Sequence, residues 1–534
     1  MSLPAIYLKK RWWLAFLLAF FLTFISPDSL TENIVHRPRV LVNGERLQGS
    51  FESEKVSQGV ASFKGIPYAQ APVGALRWNA PLTPIYRPGL QQATRFRAGC
   101  FQDSYNMNWY RNVGAAFGAD NKVFKDPPFS EDCLYLNVWT PSLKSNAKLP
   151  VMVWIHGGSN KAGWSFEPNY HGHRLAKTGN VVVVSIAYRL GVFGFFSHPE
   201  LEHQTTQANF ALQDQILALR WVQDNASHFG GDPANVTIFG ESAGAADIGY
   251  LLTSPKAHGL FQRAISQSGG FQIQDNETLA ESKEYGLKLA AAFPGEPGLA
   301  SLRNQTSDAI FSANQRLFAE RQFRPVVDGV FVTDFPADYY KKKGIAVDLL
   351  IGTNENESYM YADANEKKLE ASIAAMPSDV QPLMKARVAR EADNQFARDV
   401  LGTLSDFACP AYEMARAVRA GKHAWVYRFT RVRPGAGGKK LLAYHGAEIP
   451  YIFNTHDDWF SADKAEPMLT TSMMAYWSNF ARNGNPQGQN LTPWPVFNAS
   501  NPQVLELGTV IKAKLAPDET LCREIAPKMY PNSK

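Results

Sequence analysis

Cysteine is scarce in this chain: four in 534 residues, and no two of them in a Cys-x-x-Cys pair. That spacing argues against a thiolate metal site. No run of lysine or arginine stands out either. The 54 basic and 49 acidic residues are interspersed and leave a formal charge of +5. So even a balance lacks the concentrated basic face that nucleic acid demands, and no nucleic-acid partner is expected. Internal repeats and low-complexity tracts are missing as well. Past residue 30, no apolar run approaches the ~20 residues that a membrane helix requires. The sequence calls for no metal and no cofactor.

What is present begins with Lys9, Lys10 and Arg11, ahead of an apolar run from Trp12 to Ile25 that Ser26, Pro27 and Asp28 end. A basic stretch before roughly 7–15 apolar residues is the pattern of a secretory signal. Residues 1–29 are therefore expected to be a signal peptide, and the mature chain, starting near residue 30, to be secreted or periplasmic. An uncleaved anchor is the alternative, because no clean small-x-small site follows. In an exported chain, Cys100, Cys133, Cys409 and Cys522 are expected to form two disulfides.

The sequence is 45% hydrophobic and 19% charged, enough to bury a large core. No linker divides it, so 30–534 reads as one catalytic domain with long loop insertions. Short apolar runs at 151–155, 181–187, 236–239 and 349–351, bounded by turn residues, read as buried parallel strands. Between them, 209–225 sets Leu212, Ile216, Leu219 and Val222 on one helical face. Strands alternating with helices predict an α/β fold, a mostly parallel central sheet with helices on both faces. Residues 101–129, rich in Asn, Asp, Gly and Pro, read as a loop.

The run at 236–239 leads directly into Gly240-Glu241-Ser242-Ala243-Gly244, and 245–252 can be helical. A strand, a sharp turn and a helix around G-x-S-x-G form a nucleophile elbow, whose glycines leave room for a strained turn. Ser242 is the candidate nucleophile; a serine hydroxyl needs an adjacent base to act as one. Earlier, Trp154-Ile155-His156-Gly157-Gly158-Ser159 closes a strand with a glycine-rich turn. Such a turn can aim backbone N–H groups at a developing oxyanion, alongside the N–H of Ala243.

With these motifs the sequence resembles the carboxylesterase/cholinesterase family, the type-B carboxylesterases of the α/β-hydrolase fold. The likeness runs from about Val60 to about Pro495. It includes Phe63-Lys64-Gly65-Ile66-Pro67-Tyr68-Ala69, Ser130-Glu131-Asp132-Cys133-Leu134-Tyr135-Leu136-Asn137, Phe229-Gly230-Gly231-Asp232-Pro233 and Arg263-Ala264-Ile265-Ser266-Gln267-Ser268-Gly269. The resemblance implies a serine ester hydrolase acting on a small-molecule ester. It assigns the triad acid to Gly352-Thr353-Asn354-Glu355-Asn356-Glu357-Ser358, where distance from Gly352 selects Glu357 over Glu355. Ser358 departs from the family's usual glycine. The base falls in Tyr444-His445-Gly446-Ala447-Glu448-Ile449-Pro450, as His445. The same resemblance assigns oxyanion donors Gly158, Ser159 and Ala243, with Gly157 and Glu241 supporting the reacting groups. Glu241 reads equally as a buried structural acid. Two disulfides are implied, Cys100–Cys133 and Cys409–Cys522.

Family members that serve only in adhesion lack the catalytic serine, which this chain keeps. A cholinesterase would need a tryptophan shortly before the signature cysteine. That stretch has none, although Trp109 stands earlier. No strongly apolar lid helix marks a lipase. Ser159, Asn160 and Lys161 replace the small and apolar residues usual beside the oxyanion hole. This predicts either a polar, carboxylate-bearing ester, as in the family's fumonisin-type esterases, or a generalist in which Lys161 points to solvent.

Overall fold

The computed structural model describes residues 37–52, 59–202, 206–273, 277–295 and 298–530. The expected signal peptide lies outside them. Eleven strands form one sheet: β1 (Ser50–Phe51), β2 (Ala61–Pro67), β3 (Tyr135–Thr140), β4 (Leu149–Ile155), β5 (Val182–Ile186), β6 (Gly231–Glu241), β7 (Arg263–Gln267), β8 (Asp348–Asn354), β9 (Ala424–Phe429), β10 (Gln503–Leu507) and β11 (Lys512–Leu515). Across the sheet they run β11-β10-β9-β8-β7-β6-β4-β5-β3-β2-β1. From β5 through β10 every neighbouring pair is parallel, while the pairs at both edges are antiparallel.

The central strands are apolar throughout because both of their faces are covered. Val153, Ile238, Ala264 and Leu349 join one core, with Leu212, Ile216 and Leu219 of the helix Phe210–Asn225. Their neighbours Trp154, Phe239, Ile265 and Leu350 join the other, with Leu469, Met473, Trp477 and Phe480 of the helix Ala465–Asn483. The period of two in each strand thus divides its side chains between two helical layers.

The four expected strands are present; β4, β6 and β8 extend beyond their apolar runs, while β5 stops one residue short at each end. β6 gains most, since its first half, with Asp232 and Pro233, carries turn residues and an irregular register before Val236. Residues 101–129 are not the loop expected: they contain the helix Tyr105–Ala116. Its stripe of Met107, Tyr110, Val113 and Gly114 is buried, and three asparagines on the remaining surface hid that period. Both disulfides have the expected pairing, Cys100–Cys133 and Cys409–Cys522. They close separations of 33 and 113 residues, which should contribute roughly 2–4 kcal/mol each. Among the described residues, no helix is long and apolar enough to cross a membrane.

Candidate active site

β6 ends at Glu241, and Ser242 follows at φ 54°, ψ −125°, immediately before the helix Ala243–Thr253. So abrupt a reversal brings backbone against backbone. A Cβ on Gly244 would lie 2.1 Å from the Ile155 oxygen, and one on Gly240 would lie 2.6 Å from it. Only glycine lets the elbow sit this close to β4. The Ser242 amide donates to the Gln267 carbonyl at 2.9 Å, fixing the turn to β7.

His445 reaches the same place from the connection after β9. Its Nδ1 lies 2.6 Å from Glu357 Oε2, and Glu357 is fully buried in the turn after β8. The Asn354 amide donates to the other Glu357 oxygen at 2.6 Å. Glu355, two residues earlier, turns outward and pairs with Arg428 at 3.0 Å. The acid turn and histidine loop are stitched together: Asn354 Nδ2 donates to the Tyr444 carbonyl, and the Asn356 amide to the Ala443 carbonyl.

Ser358, where glycine was expected, is accommodated by a glycine opposite: a Cβ on Gly402 would meet its Oγ at 2.4 Å. Its amide donates to Asp399 Oδ1 at 3.0 Å, while Asn356 Nδ2 donates to Asp399 Oδ2 at 2.8 Å. Asp399 therefore braces both residues that flank Glu357. Sequence reasoning missed it, since an acid more than 40 residues away leaves no local pattern.

The turn after β4 carries Gly157, Gly158 and Ser159. A Cβ on Gly157 would lie 2.8 Å from Glu241 Oε2 and 3.1 Å from Ser242 Cβ, so this glycine lets the turn approach the elbow. Gly158, Ser159 and Ala243 border one cavity with Ser242. Among the described residues, no protein group accepts a hydrogen bond from their amides, which remain available to a ligand oxygen. His156 is no rival base. It stacks on Tyr188, and burial pushes it down to about 4.

Glu241 Oε1 lies 3.2 Å from His445 Nε2, which places this carboxylate against the imidazole. Burial pushes Glu241 up to about 8; the His445 charge opposes the shift, and Glu448, Glu357 and Glu167 add to it. Burial alone would hold His445 down, but Glu241 and Glu357 outweigh it and raise its affinity for a proton. Among the described residues, no hydrogen bond joins Ser242 Oγ to Nε2. Catalytic hydrogen bonds of this kind often tighten only when substrate is bound.

The cavity has a volume of about 960 Å³. Tyr105, Trp109 and Tyr110 of the helix Tyr105–Ala116 form one wall, with Phe271, Phe323 and Phe407 elsewhere around it. Trp109 stands against the histidine loop: its Cζ2 would be 3.4 Å from a Cβ on Gly446, a position 3.5 Å from Glu241 Oε1. Phe407, in the π-helical turn Thr403–Ala408, lies 5.2 Å from the His445 ring. Lys161 does not border the cavity. Its ammonium sits 4.0 Å from the Tyr105 ring centroid, a cation–π contact with the helix that sequence reasoning had taken for a loop. Asn160 does border it but is buried, its amide held by Asp247.

A serine elbow at the carboxyl edge of a mostly parallel sheet, with helices on both faces, is the architecture of an α/β-hydrolase. Within that class the chain belongs to the carboxylesterase family, whose sequence profile it matches over residues 36–523. It is 33% identical to a cocaine esterase of Homo sapiens over 88% of this chain and 87% of that one. It is 34% identical to a fumonisin B1 esterase of Sphingopyxis macrogoltabida over 83% of each. A solved thermophilic PNB esterase superposes with a TM-score of 0.77 at 29% identity, covering 92% of this chain and all of that one. The reaction class is carboxylic ester hydrolysis.

Proposed function

We propose that Ser242, His445 and Glu357 hydrolyse a small-molecule ester through an acyl-enzyme. The observation that carries this reading is the His445–Glu357 bond beside a serine held in a nucleophile elbow. His445 takes the proton as Ser242 Oγ attacks the ester carbonyl. Glu357 keeps Nδ1 protonated and stabilises the imidazolium. The carbonyl oxygen becomes an anion between the amides of Gly158, Ser159 and Ala243. Collapse expels the alcohol, which receives the proton from His445. Water then repeats the sequence and releases the acid. Ser242→Ala is expected to abolish hydrolysis of p-nitrophenyl acetate and leave the melting temperature unchanged. An organophosphate adduct on any other residue would refute the assignment.

The aromatic walls suit an uncharged ester with apolar groups. The carboxylate-bearing alternative loses the residue that prompted it, because Lys161 is engaged on Tyr105. Trp109 beside Glu241 favours a second reading, an ester of a cationic alcohol held over the indole face. Comparing a choline ester with its uncharged 3,3-dimethylbutyl analogue, in wild type and Trp109→Ala, decides between the two. A ratio of kcat/KM unaffected by the mutation eliminates the cationic reading.

Residues 1–29 act in this reading as an export signal ahead of a catalytic domain spanning 30–534. The two disulfides support export to an oxidising compartment.

A further inference from the structure

Two successive non-glycine residues, Ser159 and Asn160, each hold φ at 56° in the turn after β4. Left-handed backbone is unfavourable for residues with a Cβ, and more so for serine than for asparagine. The surroundings must therefore hold this turn in place, and the side chain of Asn160 is where they do so. It is buried, and its Nδ2 donates to Asp247 Oδ1 at 3.1 Å. The Tyr188 hydroxyl, which donates to the His156 carbonyl at 2.6 Å, lies 3.4 Å from Asn160 Oδ1. The Asn160 carbonyl accepts from the Gly191 amide at 2.7 Å. Asp247 belongs to the other side of the site. It is buried in the helix that begins at Ala243, and its second oxygen accepts from Gln215 Nε2 at 2.5 Å.

We propose that the Asn160–Asp247 bond is a positioning device that sets the spacing of the oxyanion donors. Gly158 and Ser159 ride on the turn, Ala243 opens the helix, and this bond ties turn to helix. The inference rests on the reading of Ser242, His445 and these three amides given above. Both side chains border the cavity, yet their polar atoms face each other, Gln215 or the Tyr188 hydroxyl, so neither is presented to substrate. Donors stabilise a tetrahedral anion only when preorganised around its oxygen, and a misplacement of about 1 Å can cost about 10²-fold in rate.

Asp247→Ala is expected to lower kcat roughly 10- to 100-fold with KM changed less than about two-fold, the signature of an interaction made only in the transition state. A trifluoromethyl ketone reports on the same geometry. Ser242 Oγ adds to its carbonyl carbon, the serine proton passes to His445, and the former carbonyl oxygen becomes the anion held by the amides. Its inhibition constant should weaken by the factor lost from kcat/KM. Asp247→Asn, whose amide oxygen can still accept from Asn160, should bring both quantities back to within about three-fold of wild type. Asn160→Gly keeps the left-handed turn accessible while deleting the side chain, and it should reproduce the loss. Combining it with Asp247→Ala should add little, because one bond is being removed twice.

Wild-type kcat and ketone affinity in Asp247→Ala would overturn the proposal, as would equal losses in Asp247→Ala and Asp247→Asn. A rise in KM with kcat unchanged would also overturn it and make the pair a substrate contact. Should Asp247→Ala not fold, Asn160→Gly and Asp247→Asn carry the test. Ser242→Ala run in parallel separates the two levels. Activity surviving there defeats the triad reading, whereas an unimpaired Asp247→Ala beside an inactive Ser242→Ala defeats only the positioning role.

Discussion

Glu355 and Glu357 stand in one turn and face opposite ways, the first to Arg428 at the surface and the second to His445 in the interior. Replacing each by glutamine separates their roles. Glu357→Gln should lower kcat by about 10³–10⁴-fold, because the neutral side chain no longer holds the imidazole in its useful tautomer or stabilises its cation. Glu355→Gln removes only a partly exposed ion pair, worth at most about 1 kcal/mol, and should leave the rate alone. The reverse ranking would move the acid to Glu355. Glu241 makes a different prediction. It is one of three carboxylates, with Glu357 and Glu448, that favour a proton on His445. In Glu241→Gln the neutral, proton-accepting imidazole should persist to lower pH, so the acid limb of the kcat/KM profile moves down. An unmoved limb would assign the effect to Glu357 and Glu448.

At the scale of elements, the elbow depends on how closely the helix Ala243–Thr253 approaches β4. Gly244→Ala would press a methyl group against the backbone oxygens of Ile155 and His156, which cannot rotate away. It should destabilise the protein by about 1–3 kcal/mol, read from thermal unfolding, and lower kcat as Ala243 is displaced. β4 was legible in the sequence because a strand covered on both faces is apolar without interruption, and β6 was legible only from Val236 on, where its buried half begins. The elbow was legible because its chemistry and its steric needs share five consecutive residues. The helix Tyr105–Ala116 was not, since its asparagine-rich surface resembles loop composition. Asp399 and Asp247 were hidden for a different reason: each acts on a segment brought to it only by folding. Asp247 did leave a trace, as the single acid in an otherwise apolar helix.

At the scale of the whole molecule, buried ionisable groups set a pH dependence of stability. Burial pushes Glu167 and Asp247 up to about 7 and Glu241 up to about 8. The folded state then holds protons that the unfolded chain releases above its own carboxylate range. Their contribution is complete below the unfolded carboxylate range, declines as pH rises above about 4.5, and is gone once pH has passed 7 to 8. Burial acts oppositely on His156 and His456, held near 4 and 3, which oppose folding below about 6.5. The melting temperature should therefore fall most steeply from about pH 6.5 to pH 8, where the histidines no longer offset the loss, and Glu167→Gln should flatten that decline. A melting temperature that rises over the same interval would contradict the assignment. One further consequence comes from the Cys100–Cys133 bridge. It hoops the chain segment that contains Tyr105, Trp109 and Tyr110, so one wall of the cavity hangs from a covalent ring outside the central sheet. A wall mounted in this way can be recut residue by residue, or exchanged whole between relatives, while the strands that aim Ser242, Glu357 and His445 stay as they are. On the triad reading proposed above, reaction and choice of substrate would then sit on separate inheritable parts of the chain.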